Sequence, residues 1–111
     1  MQAIVLHTTV ASLEQARTMA RTLVGQRLAA CAQIAPIESF YHWDGALCNE
    51  GEYRISFTTA ARCYAALERA IRALHPYELP AIYSLAVDQA YPPYADWVLA
   101  QCACEPAGGP A

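Results

Sequence analysis

Basic residues are scarce and scattered. Seven Lys plus Arg stand against ten Asp plus Glu, for a formal charge of −3, and no two or three of the basic ones form a run. Binding to a phosphate backbone requires a basic face, so nucleic acid is excluded as a partner. Charge of either sign is also low, at 15% of residues against 56% hydrophobic, where soluble domains average about 25% charged. Such a composition favours a subunit over a monomer. Long apolar runs are missing as well. The opening MQAIVLHTT has no basic flank and is too short for a signal core, and nothing later approaches the ~20 apolar residues of a membrane span. The expectation is a cytoplasmic protein without membrane insertion. A glycine-rich phosphate loop, GxSxG, HExxH and CxxC are all lacking, so no organic cofactor, no catalytic residue and no enzyme activity are expected. The five cysteines, Cys31, Cys48, Cys63, Cys102 and Cys104, are odd in number and without zinc-type spacing. In a reducing compartment they read as thiols, and none demands a disulfide.

What the chain does have is a ribbon. IESFYHW ends in Asp44-Gly45, and EYRISFT follows a few residues later. Asp-Gly between aromatic and β-branched runs is a strong hairpin signal, because a tight primed turn needs positive φ. Tyr53, Ile55 and Phe57 alternate with Glu52, Arg54 and Ser56, giving one apolar and one wet face. A first arm from Ala32 to Trp43 would be about 40 Å long at roughly 3.3 Å per residue. A compact chain of this size has a radius of gyration of only about 13 Å, so the ribbon overshoots its own domain, and another copy of the chain is the natural cover.

Around the ribbon, Ala3 to Thr9 reads as a central strand covered on both faces. Ser12 opens a helix with a capping box to Gln15, whose apolar stripe is Leu13, Ala16, Ala20, Leu23 and Val24, and Gly25 offers a left-handed end. Pro36, inside the first arm, predicts an edge position or a bulge with a kink. Thr59 or a neighbour opens a second helix, with Cys63, Leu67, Ala70, Ile71 and Leu74 inward and Arg62, Glu68, Arg69 and Arg72 in water, closed by Pro76. Ile82 to Val87 forms a fourth strand, and Pro92-Pro93 starts a last helix carrying Tyr94, Trp97, Val98 and Cys102. The order β-α-β-β-α-β-α is that of an α+β, ferredoxin-like split βαβ sandwich with a long β-hairpin and an extra C-terminal helix. One domain spans 1–104, and 105–111 reads as a disordered tail.

The densest cluster of special residues is HPYELP at 75–80. His75 either caps its helix through the macrodipole or acts as a metal ligand or proton carrier. Glu78 either ligates a cation or is solvated. Cys31 is a compact buried residue or a thiolate suited to copper(I) or zinc. His7 and His42 are further candidate ligands with a structural role as the stronger reading, and the Cys102/Cys104 pair is weak evidence for adventitious metal binding. Tyr41, Trp43 and Tyr77 either pack an interface or line a cleft between subunits. A hydrolase built on Cys31 and His75 would require the two within hydrogen-bond reach.

Taken in order, Thr8-Thr9, LVGQRLAACAQIAP at 23–36, SFYHWDG at 39–45, the strand ending in Thr59, LHPYELP at 74–80 and YADW at 94–97 resemble the CutA family of divalent-cation tolerance proteins over nearly the whole chain. The resemblance implies a homotrimer formed by edge pairing of the hairpin strands, similar in design to PII-type signalling proteins, and a role in tolerating copper and other divalent ions. It places the family's cysteine at Cys31, its aromatics at Tyr41 and Trp43, and its histidine and tyrosine at His75 and Tyr77. The expected site is therefore Cys31 and His75 holding copper or zinc weakly at inter-subunit clefts lined by Tyr41, Trp43, Tyr77 and Glu78. The alternative is a PII-like small-molecule or interaction module without metal chemistry. Thr58 and Ala81 depart from the family pattern, where a lysine and a glutamate are usual, and the two losses are expected to be those of paired residues.

Overall fold

Residues 2–104 are described by this computed structural model, in the order β1 (Ala3–Val10), α1 (Leu13–Gly25), β2 (Cys31–Trp43), β3 (Ala46–Ala60), a 3-10 turn at Ala61–Cys63, α2 (Tyr64–Leu74), β4 (Ile82–Ala86) and α3 (Pro92–Gln101). The sheet order is β2-β3-β1-β4 with every pair antiparallel, the ferredoxin-like arrangement expected from the element order. The expected tail, 105–111, lies outside the described residues.

The hairpin is set by its turn. Asp44 and Gly45 take φ of 51° and 76°, the paired left-handed conformation of a primed two-residue turn. From Trp43 opposite Ala46 to Cys31 opposite Thr58 the register runs without a bulge, and the longest dimension of the molecule is 44 Å. Pro36 therefore causes no bulge. It lies on the edge strand, and alternate pairing outward from the Trp43–Ala46 closure puts it at a non-hydrogen-bonded position. Its missing N–H would have pointed away from β3, so the ladder loses nothing.

Along β1, Ile4, Leu6, Thr8 and Val10 are buried while the alternate positions are half-buried. The strand is central, but only one face is fully covered. That face joins Ile55 and Phe57 of β3 to Ala16, Met19 and Leu23 of α1 and Leu67 and Ile71 of α2 in the main core. Burial of such side chains contributes roughly 1.5–3 kcal/mol each. Met19 belongs to this stripe and was not among the expected α1 positions.

Helix α1 begins with the full capping box, the Gln15 amide donating to Ser12 Oγ at 3.1 Å and the Ser12 amide to Gln15 Oε1 at 3.3 Å. Its end differs from expectation. Gly25 is still helical, and Arg27 is the left-handed residue, at φ 60°. The amides of Arg27 and Leu28 donate to the carbonyls of Val24 and Leu23, which is a Schellman closure. Thr59 lies in β3, and α2 starts only at Tyr64 after the 3-10 turn.

The second face of the sheet is open except at one end, where α3 crosses it. Val98 and Cys102 pack there with Ala30, Ala60 and Cys63. Cys63 and Cys104 form a disulfide with Cα atoms 5.3 Å apart, which corrects the reading of all five cysteines as thiols, while Cys31, Cys48 and Cys102 are free. Arg62 does not face water. It donates to the carbonyls of Leu99, Cys102 and Cys104, satisfying acceptors that the end of α3 leaves unpaired.

Candidate functional site

Strand register decides what the open face presents. On β2, Ile37, Ser39, Tyr41 and Trp43 stand opposite Glu52, Glu50, Cys48 and Ala46 of β3, and side chains of one parity share a face. The connection from α2 to β4 comes over the same side. Together these elements enclose a groove of about 580 Å³ lined by Tyr41, Trp43, Tyr77 and Tyr83, by Glu50, Glu52 and Glu78, and by Arg54, with Thr9, Ala11, Ile37, Ser39, Leu79 and Ala81 completing the wall. The four cleft residues expected from sequence, Tyr41, Trp43, Tyr77 and Glu78, all lie on it.

At its centre the Tyr77 hydroxyl donates to Glu52 Oε2 at 2.6 Å. Glu52 is only 7% exposed, and among the described residues it has no ion-pair partner. Burial, and then the Glu52 carboxylate it donates to, push the Tyr77 phenol far above its ordinary value, so it remains a proton-bearing donor. Tyr41 is raised as well, first by desolvation and then by neighbouring Glu50. Arg54 is the one cation among the described residues of the wall. Its charge, second to burial, lowers the pKa of His7, and its Nε is buried without a hydrogen-bond partner. His7 in turn shares a 3.0 Å hydrogen bond between its Nδ1 and Ser56 Oγ.

His75 holds the loop that delivers Tyr77. The Tyr77 amide donates to His75 Nδ1 at 3.2 Å, so the ring proton sits on Nε2, which donates to the Thr9 carbonyl at 2.9 Å. Both nitrogens are used by the neutral ring. Burial lowers the His75 pKa, against smaller opposing effects of the Thr9 hydrogen bond and the Glu52 charge. The residue positions Tyr77 and has no lone pair left for a metal ion.

Cys31 lies elsewhere. It stands opposite Thr58, which is opposite Val5, whereas His75 meets Thr9. Four residues of β1 separate the two rows, roughly 13 Å at 3.3 Å per residue. Cys31 Sγ lies 3.9 Å from the Tyr94 hydroxyl beneath α3. Within one protomer Cys31 and His75 thus form neither a metal pair nor a nucleophile–base pair. Thr58 and Ala81 are likewise at opposite ends of the face, Ala81 in the groove and Thr58 beside Cys31. Among the described residues no three His, Cys, Asp or Glu side chains are gathered as a metal cage. The carboxylates present therefore form no chelating cage within the protomer, and an ion on this wall would be held by its negative field rather than by several protein ligands.

The groove residues that sequence reading passed over are Glu50, Glu52 and Arg54. The alternation along EYRISFT does place Glu52 and Arg54 on one face, but that face reads as solvated. Counting registers back from Asp44-Gly45 is the available signal, since it sets Glu50 and Glu52 opposite Ser39 and Ile37, on the same face as Tyr41.

Comparison with known proteins gives concordant results. A family model described as CutA1 divalent ion tolerance protein matches residues 4–101. A divalent-cation tolerance protein CutA of Thermus thermophilus is 38% identical over 91 residues, 81% of this chain and 88% of that protein. A Protein CutA homolog of Xenopus laevis is 39% identical over 84 residues, 75% of this chain and 56% of that longer protein. Among solved structures, one titled periplasmic divalent cation tolerance protein CutA, from Archaeoglobus fulgidus, superimposes with a TM-score of 0.84 at 29% identity, covering 86% of this chain and 94% of the other.

Proposed function

The chain belongs to the CutA1 family of divalent ion tolerance proteins, and from that premise we propose that it contributes to cation tolerance by holding cations weakly and reversibly in the acidic groove of its sheet. The observation that carries this reading is Glu52, a carboxylate almost wholly buried with a tyrosine hydroxyl as its hydrogen-bond donor and no ion-pair partner among the described residues. A buried charge is costly unless compensated. Glu50 and Glu78 add to the negative field on the same wall, which concentrates cations locally. The groove binds and releases in this reading and performs no covalent chemistry.

The reading has the protein act as a homotrimer, its hairpins paired edge to edge and a neighbouring copy roofing the groove. Two features support this. β2 is an edge strand of 13 residues, and unprotected edges of that length invite pairing. Phe40 and Leu47, large apolar side chains near the hairpin tip, are exposed. No helix among the described residues is long and apolar enough to cross a membrane.

Copper is the ion to test first, with zinc second. Calorimetric titration of copper(II) should show weak binding that Glu52→Gln reduces at least tenfold. Equal binding by wild type and Glu52→Gln would remove the groove from the account. Losses confined to Cys31→Ser and His75→Ala would instead place the ion on a thiol and an imidazole shared across a subunit seam. Sedimentation at micromolar concentration should report trimers, and monomers alone would overturn the assembly.

A further inference from the structure

The groove's charges are spread along an aromatic wall rather than gathered round a point. Three carboxylates and one guanidinium, that of Arg54, line it, a formal charge of −2. Glu50 and Glu52 are alternate residues of β3 on the same face, so their Cα atoms lie about 7 Å apart at 3.4 Å per residue. No three acidic side chains close up into a cage, which a bare divalent metal ion would need for several oxygen ligands at short range. Trp43 and Tyr41, both partly exposed, stand with Tyr77 on the same wall. The faces of such rings attract organic ammonium groups, whose hydration is more easily given up than that of a small metal ion.

We propose that the groove is a binding site for a short aliphatic diammonium ion, one ammonium group paired with buried Glu52 and the other with Glu50, its methylene chain lying along Trp43 and Tyr41. The proposal rests on the reading of the groove as a cation site. Its own content is the class of ligand: a dication whose two charges match the formal charge of the groove, and whose four-carbon spacing is comparable to the separation of the two glutamates. The Tyr77 hydroxyl already occupies one oxygen of Glu52 and leaves the other to accept from the ligand. A neutral chain of the same length would forfeit both ion pairs, and a monoamine would forfeit one.

The test is calorimetry on the full chain with 1,4-diaminobutane dihydrochloride, compared with butylamine hydrochloride and 1,4-butanediol at the same ionic strength. The diamine is expected to bind at least tenfold more tightly than butylamine, and butanediol not measurably. Glu50→Gln should bring the diamine down to the affinity of butylamine, and Trp43→Ala should weaken both amines. These two positions are exposed or partly so, and the variants remain usable if Glu52→Gln does not fold. Equal affinity for diamine and butylamine, or a diamine affinity unchanged by Glu50→Gln, would overturn the proposal. If copper(II) binds in a Glu52-dependent way and the diamine does not, the ligand class is wrong and the cation groove stands. If neither binds, both fall.

Discussion

Tyr77 and His75 divide one task between them. His75 fixes the loop by accepting from the Tyr77 amide and donating to Thr9, and Tyr77 then supplies the hydrogen bond that Glu52 has inside the protein. Tyr77→Phe leaves a buried carboxylate one donor short and should cost about 1.5–3 kcal/mol, the range for hydrogen bonds to charged groups, measured by urea unfolding. Acid should act through His75. Its folded-state pKa lies below its ordinary 6.5, so the unfolded chain takes up the proton first. The stabilisation from the neutral ring is complete above that value and is lost as pH falls below it toward the folded-state pKa. His7 is shifted in the same direction. Denaturation midpoints should therefore fall as pH drops below 6.5, and His75→Gln should flatten that dependence in part, with His7 supplying the remainder. An unchanged slope in His75→Gln would refute the assignment. HPYELP stood out in the sequence for its residue types. Its roles did not, because the acceptor that takes the imidazole proton, the Thr9 carbonyl, is 66 residues away.

Elements were legible where their signals are local. The capping box, the Asp-Gly turn and the proline stops each involve residues within a few positions of one another, and the structure contains all of them. Among the local readings that went astray, those of β1 and Gly25 did so for identifiable physical reasons. Ala-Ile-Val-Leu is apolar at both parities, so the one-sided burial of β1 leaves no trace in its pattern. Gly25 drew the left-handed assignment because glycine tolerates it most easily, yet the chain turns two residues later at Arg27. Replacing Arg27 with Gly should relieve a strained φ and stabilise the fold by about 0.5–1 kcal/mol, net of the 3.5 Å bond from its guanidinium to the Gln101 carbonyl. A thermal midpoint lower than wild type would show that this bond and its neighbours outweigh the strain. Ser12→Ala tests the other end of the same helix and should cost about 1 kcal/mol in the same measurement.

At the scale of the whole molecule the two faces of the sheet are closed by different means. Helices α1 and α2 seal one through the core. The other is held at one end by α3, tied by the Cys63–Cys104 bridge, by Arg62 and by the amide of Ala103 donating to the Arg27 carbonyl. The ferredoxin-like order could be read from the alternation of strands and helices. The bridge could not, since its halves are 41 residues apart and their meeting depends on where α3 crosses. A loop of that length implies roughly 4 kcal/mol of unfolded-state restriction. Cys104→Ser, or a reducing agent, should lower stability by about 2–4 kcal/mol, read from denaturant midpoints. Equal midpoints for oxidised and reduced protein would place that stabilisation elsewhere.

Pro36 gives the outer rim of β2 a fixed interruption. Amides at even-numbered positions from Ala32 to His42 face away from β3, and this one lacks a hydrogen to offer. Any strand docking alongside must stop short of that rung or skip it. For such a partner the stretch beyond it toward the tip, with Glu38, Phe40 and His42 facing outward through their backbones, would be a separate zipper whose length is capped by a ring of three methylenes.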